Sequence, residues 1–469
     1  MLTNDSKSIY LNESVPSEAS DRGADMVTPP VTARQYGLLA YPLILSSILT
    51  PLLGVTDTIV IGQTGDAVAI GAIAIAAVFF NTIYWLFGFL KVSTTGFSAQ
   101  ASVHHDETAL HFALYRPVLL GLLIGLALML FRVPLTEGGL YLLAAPRTLL
   151  PDVTTYIHYR MYGAPFVLIG YAVLGWLIGQ GQVKRALLIQ VFSNVINIVL
   201  DIVFVLGLGY GVAGVAIATL VSEISIVAFG FLFMFRQLAW KPDYRGLLFH
   251  VQAYRQFFTV NADLFVRTIF LLIVTGWFTR TGASFGPDVL AANAILLQIQ
   301  YLIAYWFGGL GSASTILVGR SRGRHDEAGY RQSVRLTRKF GLASILLMMI
   351  LLVIFQYPLL RSFSTDPDLL DFARLYYGWI LIFPLTGGFA MLYEGVFSGL
   401  AQAKPVRNSM IQAFLVFALL LLSVYWIGNH GVWLAFIGFG LMRSVSLHLA
   451  ERRRSSVFET HNEKTDLPV

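Results

Sequence analysis

Along the chain, apolar runs alternate with short polar connections. Twelve runs can be counted, centred near residues 50, 83, 121, 168, 197, 224, 268, 302, 347, 386, 416 and 440. A hydrocarbon core about 30 Å thick takes about 20 apolar residues as one helix. In that medium a helix satisfies its own backbone without water. The pattern predicts an all-α polytopic membrane protein of twelve transmembrane helices, with no room for a soluble catalytic domain. The polar ends, 1–33 and 451–469, read as disordered cytoplasmic tails of mixed charge.

A second pattern lies on top of the first. "WLFGFLKVSTTGFSAQASVHHDE" from Trp85 and "YWFGGLGSASTILVGRSRGRHDE" from Tyr305 share Phe87/Phe307, Gly88/Gly308, Leu90/Leu310 and Thr95/Thr315 at an offset of 220. The same offset pairs Gly175 with Gly395, Gly179 with Gly399, Lys184 with Lys404 and Gly211 with Gly431. Each copy holds six spans, an even number, so both copies enter from one side as parallel repeats. Two pseudo-symmetric six-helix bundles forming a V-shaped central cleft follow: an N-lobe at 34–236, a cytoplasmic linker at 237–253 and a C-lobe at 254–450. Such lobes suit alternating access; a static structural protein of two fused copies is the plainer alternative.

Composition agrees. The 469 residues are 56% hydrophobic and 12% charged, against roughly a quarter charged in soluble domains, and the mean hydropathy is +0.69. The net charge of +6 invites a nucleic-acid partner, but its placement argues otherwise. With the N-terminus inside, most cations fall on cytoplasmic segments, among them Lys184, Arg185, Arg320, Arg322, Arg335 and Arg338. The outer loops keep Arg132, Arg147, Arg280, Arg361 and Arg374, and Lys91, Arg160 and Arg267 lie within spans. That asymmetry is the positive-inside rule, and no nucleic acid is needed to explain it. The absence of cysteine excludes disulfides and thiol chemistry.

Against this background an intramembrane carboxylate stands out. In "SSILTPLLGVTDTIVIG" (46–62), Ser46, Thr50 and Asp57 share one helical face around Pro51. In "SNVINIVLD", Asn194, Asn197 and Asp201 stand at i, i+3 and i+7, and the sixth span brings Thr219. An unpaired charge in hydrocarbon costs at least about 2.5–3.5 kcal/mol, so an acid here can be carried neutral and couple its proton to conformation. A structural hydrogen bond between helices is the alternative for each. In the C-lobe, Asp263 and Arg267 lie i,i+4 and are expected to neutralise each other. Glu394, near the inner end of its span, Glu223, facing protein, and Lys91, lining the cleft, complete the candidates. The glycine-rich pieces join no strand to a helix and so are not phosphate loops, and no nucleophile elbow or metal-ligand cluster appears. An enzyme is therefore not expected, and neither is a cofactor.

These residues carry a resemblance. "PLLGVTDTIVIGQTGD", "YWLFGFLKVSTTGFSAQA", the run from Gly175 to Leu220, "NADLFVRT" and "VLAANAILLQ" resemble the multidrug and toxic compound extrusion (MATE) transporters. The resemblance covers roughly 35 to 450 and is strongest to the branch named for DNA-damage-inducible protein F. It implies efflux of organic, often cationic compounds in exchange for protons or sodium. It also implies an acid of the first span as coupling group, here Asp57, with Asn197, Asp201 and Thr219 as its network. Where that branch shows acids on the eighth span, this chain has Gly308 and Thr315, which places coupling in the N-lobe.

The expectation is a monomeric, proton-coupled exporter of cationic or amphipathic small molecules in a bacterial inner membrane, both termini cytoplasmic and lipids around it. Sodium is the alternative coupling ion. A flippase for lipid-linked precursors is the alternative function, and it should show a more cationic cleft. An intramembrane enzyme would need a convergent acid–base set that the chain lacks.

Overall fold

The computed structural model describes residues 31–49, 52–64, 66–103, 107–143, 145–234, 251–364 and 366–453. Residues 1–30 and 454–469 of the expected tails, 237–250 of the expected linker, Thr50, Pro51 and the histidines at 104 and 105 lie outside these, and the last residues of the expected linker, 251–253, already belong to a helix.

The described residues form helices grouped into twelve segments. The first is Ala33–Leu49 with Leu52–Gly62, the second Ala67–Leu86 with Phe89–Ala101, and the third Glu107–Leu130 with Arg132–Leu142. The fourth is Leu150–Met161 with Ala164–Gly179, bent by 51° between them. The fifth is Val183–Asp201, continued by a π-helical turn Ile202–Gly207, and the sixth is Gly211–Met234. The C-lobe repeats the order: Val251–Ala283, Pro287–Gly323, Glu327–Ile354 with Gln356–Arg361, Pro367–Gly399, Lys404–Leu421 with Val424–Ile427, and Asn429–Arg452. Among the described residues, nine helices are individually long and apolar enough to cross a membrane, or ten counting the bent fourth segment. The eleventh segment opens with the polar "KPVRNS", which dilutes an otherwise apolar run. Carboxylates cap three helices at their N-termini: Asp66 accepts from Val68 N at 2.9 Å, Asp326 from Gly329 N at 2.8 Å and Asp366 from Asp368 N at 3.1 Å.

The repeat seen in sequence is a repeat of packing. A Cβ on Gly175 would stand 2.6 Å from the carbonyl of Lys91, and one on Gly395 would stand 2.1 Å from that of Gly311. One turn on, Gly179 meets the Thr95 carbonyl at 2.5 Å and Gly399 meets that of Thr315 at 2.6 Å. In each lobe the same two glycines let the fourth helix, or its counterpart the tenth, lie directly on the second or the eighth. Small residues permit such close approach where no hydrophobic effect drives helices together. In the C-lobe an amide pair adds to it: Asn293 and Asn429 donate to each other at 2.8 and 2.9 Å, and Trp433 Nε1 donates to Asn293 Oδ1 at 2.8 Å.

The lobes meet along the first and second segments on one side and the eighth and tenth on the other. Tyr36 donates to the Leu310 carbonyl at 3.1 Å, Gln100 Nε2 to that of Gly399 at 2.7 Å, and Arg320 to that of Gln180 at 3.1 Å. Gly96 packs so closely that a Cβ would fall 2.1 Å from the Ser398 carbonyl. These contacts gather toward the end where the first segment begins. Overpacking of this kind costs about 1–3 kcal/mol, so Gly96→Val should hold the lobes apart at this end. In this cysteine-free chain, a single cysteine at Gln100 should then label with maleimide at least about fivefold faster than in the parent.

Candidate functional site

The fifth segment buries Gln190, Ser193, Asn197 and Asp201, at spacings of three and four that keep one face of a helix. The six-residue π turn begins immediately after Asp201. Such wide turns change the side-chain register and recur at functional sites. Asn194 lies off that face: it is half-buried and donates to the Leu49 carbonyl at 3.4 Å. It ties the fifth segment to the first, and Ser193 takes the buried place, donating to the Ser222 carbonyl at 2.7 Å.

Asp57 points at this face and is 2% exposed. Its Oδ2 accepts from Tyr156 at 3.2 Å and from Thr219 at 3.1 Å. The single Thr219 hydroxyl proton is shared with the Val215 carbonyl at 3.0 Å, and Asn197 Nδ2 approaches the Thr219 oxygen at 3.5 Å. Asp201 is a close neighbour of Asp57 in this cluster. The four N-lobe residues singled out from sequence therefore form one buried cluster. Asp57 Oδ1, both oxygens of Asp201 and Asn197 Oδ1 have no donor facing them.

Three further residues join the cluster: Glu223, a candidate from sequence, and Tyr156 and Arg160, whose place in it is legible only in three dimensions. Tyr156 bridges Asp57 to Arg160, whose Nη1 reaches the phenol oxygen at 3.4 Å. Arg160 pairs with Glu223 at 3.3 Å and lies 4.5 Å over the Phe80 ring. Glu223 fits because the bend of the fourth segment carries Gly163, where a Cβ would stand 2.1 Å from Oε2. The sequence signal was present but faint: Tyr156 and Arg160 are i,i+4, and Arg160 is a cation inside a span. Among the described residues no group of three or more His, Asp or Glu could hold a metal ion.

The C-lobe overturns one expectation. Asp263 does not neutralise Arg267; it receives Arg407 Nη1 of the eleventh segment at 2.6 Å. Arg267 instead makes a forked pair with Glu394, 3.2 Å from Nε and 2.9 Å from Nη2, and Arg443 joins the same carboxylate. A planar guanidinium gains more from two parallel bonds to a carboxylate across a helix interface than from one contact along its own helix. The Asp263–Arg407 pair borders a groove of about 970 Å³ between the seventh, eleventh and twelfth segments, away from the cleft.

A cavity of about 400 Å³ lies between the lobes. Tyr84, Trp85 and Tyr171 line it from the N-lobe, and Tyr301, Tyr305, Phe383 and Phe436 from the C-lobe. Gly308 and Thr315, the departures noted in sequence, are both on its wall, and Thr315 donates to the Gly395 carbonyl at 2.9 Å. Arg267, Glu394 and Arg443 are its ionisable side chains with formal charge; Lys91 is half-buried beside it and does not line it. Tyr84 joins the two sites: it lines the cavity, and the Arg160 guanidinium lies 5.9 Å over its ring.

Comparison with known proteins accounts for the repeat. The MatE family model matches twice, at 42–203 and 264–424. The chain is 32% identical over 430 residues to DNA damage-inducible protein F of Escherichia coli, covering 88% of this chain and 91% of that one. It is 21% identical over 382 residues to multidrug export protein MepA of Staphylococcus saprophyticus, covering 80% and 82%. The fold superposes with a TM-score of 0.79 on a MATE transporter, VcmN, of Vibrio cholerae in its bent form, at 20% identity over 90% of this chain and 96% of that one. Its members are transporters and not enzymes, and with two copies of the family's unit lying across most of its length, this chain belongs to the MatE family of multi-pass membrane transporters.

Proposed function

We propose that this protein exports organic amphipathic compounds across a bacterial inner membrane by alternating access, in exchange for protons held by Asp57 and Asp201. The observation that carries the reading is the charge count of the N-lobe cluster. Asp57, Asp201 and Glu223 share one buried guanidinium, Arg160, and that guanidinium is turned to Glu223. Two adjacent carboxyls with no cation of their own cannot both ionise in a low dielectric. One proton between them supplies the missing charge balance and a donor for an oxygen that has none.

The same geometry suggests how a proton moves the protein. A carboxylate at Asp57 holds the Thr219 hydroxyl and the Tyr156 phenol; a neutral acid holds them weakly. Protonation then returns the Thr219 hydroxyl to Val215 and frees Tyr156, on which Arg160 rests. Arg160 leans on Tyr84, so the cavity wall senses the change. With the N-terminus cytoplasmic, the lobes are sealed on the inner side, and the cavity belongs to the outward-facing state. A proton entering down 100 mV releases about 2.3 kcal/mol, which sustains roughly a fiftyfold gradient of uncharged cargo.

Sodium is the second reading, favoured by the four donorless oxygens on Asp57, Asn197 and Asp201. A third carboxylate would complete a cation cage, and Glu223 is instead paired with Arg160; the proton is preferred.

In proteoliposomes, dye uptake driven by an imposed pH gradient at constant sodium should be lost in Asp57→Asn and in Asp201→Asn. Undiminished coupled uptake in either variant would rule out the carboxyl pair as carrier, and uptake driven only by a sodium gradient at constant pH would reassign the ion. Thr219→Val should keep coupling but slow exchange about tenfold, since it removes one hydrogen bond to a charged group; an unchanged rate would remove Thr219 from the network.

A further inference from the structure

The interior candidates read from sequence are mostly acids, and the cavity observed instead has the more cationic lining set out there as the mark of a flippase for lipid-linked precursors. Of its charged lining groups two are guanidiniums and one is a carboxylate. Glu394, the acid among the described lining residues that could meet a cationic cargo, already holds Arg267 in a fork and Arg443 on its Oε1. Its oxygens are occupied, and the wall keeps one positive charge more than it neutralises. Arg443 is 5% exposed and its Nε has no acceptor. Two further buried atoms on the same cavity are unmatched, the Tyr84 hydroxyl and Gln300 Oε1. A buried donor without a partner costs about as much as a lost hydrogen bond.

We infer that the C-lobe wall of the cavity recognises the anionic head group of an amphipathic cargo. A carboxylate or sulfonate would take the free Nε–H of Arg443 and compete with Glu394 for Arg267. The apolar body of the cargo would lie against Trp85, Tyr301, Tyr305 and Phe436. Glu394 is then a resident anion that the cargo displaces, and it keeps the two arginines from repelling each other while the site is empty. The lobes divide the labour by charge: acids in the N-lobe for the coupling ion, bases in the C-lobe for the cargo. At the repeat offset of 220, Glu223 of the N-lobe corresponds to Arg443. The inference rests on the export reading for its cargo, but equilibrium binding tests it independently of transport.

The test uses the full chain in nanodiscs and one aromatic body in three charge states: 2-naphthoate, 2-naphthamide and 2-naphthylmethylammonium, with calorimetry as readout. Naphthoate should bind at least about tenfold tighter than the ammonium, the worth of one good charge-assisted bond. Glu394→Gln should tighten naphthoate severalfold by removing its competitor, and Arg267→Gln should weaken it about tenfold. A gain of affinity on losing Glu394 cannot come from a damaged fold. Displacement of bound naphthoate by dihexanoylphosphatidylglycerol would place the anion on a lipid; its persistence would place it on a free organic acid. Naphthoate binding no tighter than the ammonium, or not detected, overturns the inference. So does an anion preference that neither substitution moves in variants of unchanged Tm. Loss of proton coupling without change in these affinities would count against the export mechanism and not against the anion site.

Discussion

The structure depends on one constraint: an ionic group inside this protein has almost no water to lean on. Leaving a charge unpaired at bilayer depth costs at least about 2.5–3.5 kcal/mol, so each interior charge must find a partner or give up its charge. Arg160 finds Glu223, Arg267 and Arg443 find Glu394, and Asp263 finds Arg407. Once these pairs are drawn, Asp57 and Asp201 remain beside each other with no ion pair among the described residues. Their position is meaningful because the other interior acids among the described residues, Glu223, Glu394 and Asp263, are each held by a guanidinium.

The two lobes share a scaffold and differ in chemistry. Gly175 and Gly179 in one, Gly395 and Gly399 in the other, set the same backbone contacts to within half an ångström. The polar positions have diverged on that common frame. Asn197 and Thr219 are in hydrogen-bonding contact in the N-lobe, while Phe417 and Phe439, at the same offset in the C-lobe, meet edge to face at 6.4 Å. Close glycine packing constrains the backbone and leaves the cavity-facing side chains free to change. A duplicated bundle can thereby hold an ion in one half and line a cargo cavity with the other.

The junction between lobes is built for reversible contact. It uses backbone carbonyls and small residues, as in Gly96 against Ser398, Gln100 against Gly399 and Arg320 against Gln180. Contacts to backbone carbonyls form and part without breaking the helices that carry them. The cavity lies beyond this seal, with Tyr84 between it and the N-lobe acids.

Much of this was legible in the chain. Apolar runs of bilayer length follow from composition alone, and the 220-residue repeat follows from identities, so the helices, their number and the two-lobe plan needed no coordinates. Asp57, Asn197, Asp201 and Thr219 stood out because a polar residue in an apolar run is rare enough to be seen one residue at a time. Pairing is different in kind. Whether Arg267 meets Asp263, four residues away, or Glu394, on another helix, depends on crossing geometry that periodicity does not encode, and the shorter spacing misled. The phase of the fifth helix, which buries Ser193 in place of Asn194, was likewise set by the neighbours it packs on. Tyr156 looked like an ordinary helix residue and Arg160 like a lone cation within a span until the packing of the fourth segment set them beside Asp57. The sequence by itself determined which groups must avoid lipid; only the tertiary structure decided which of them face each other, because a charge pair is a property of two surfaces and a sequence describes one.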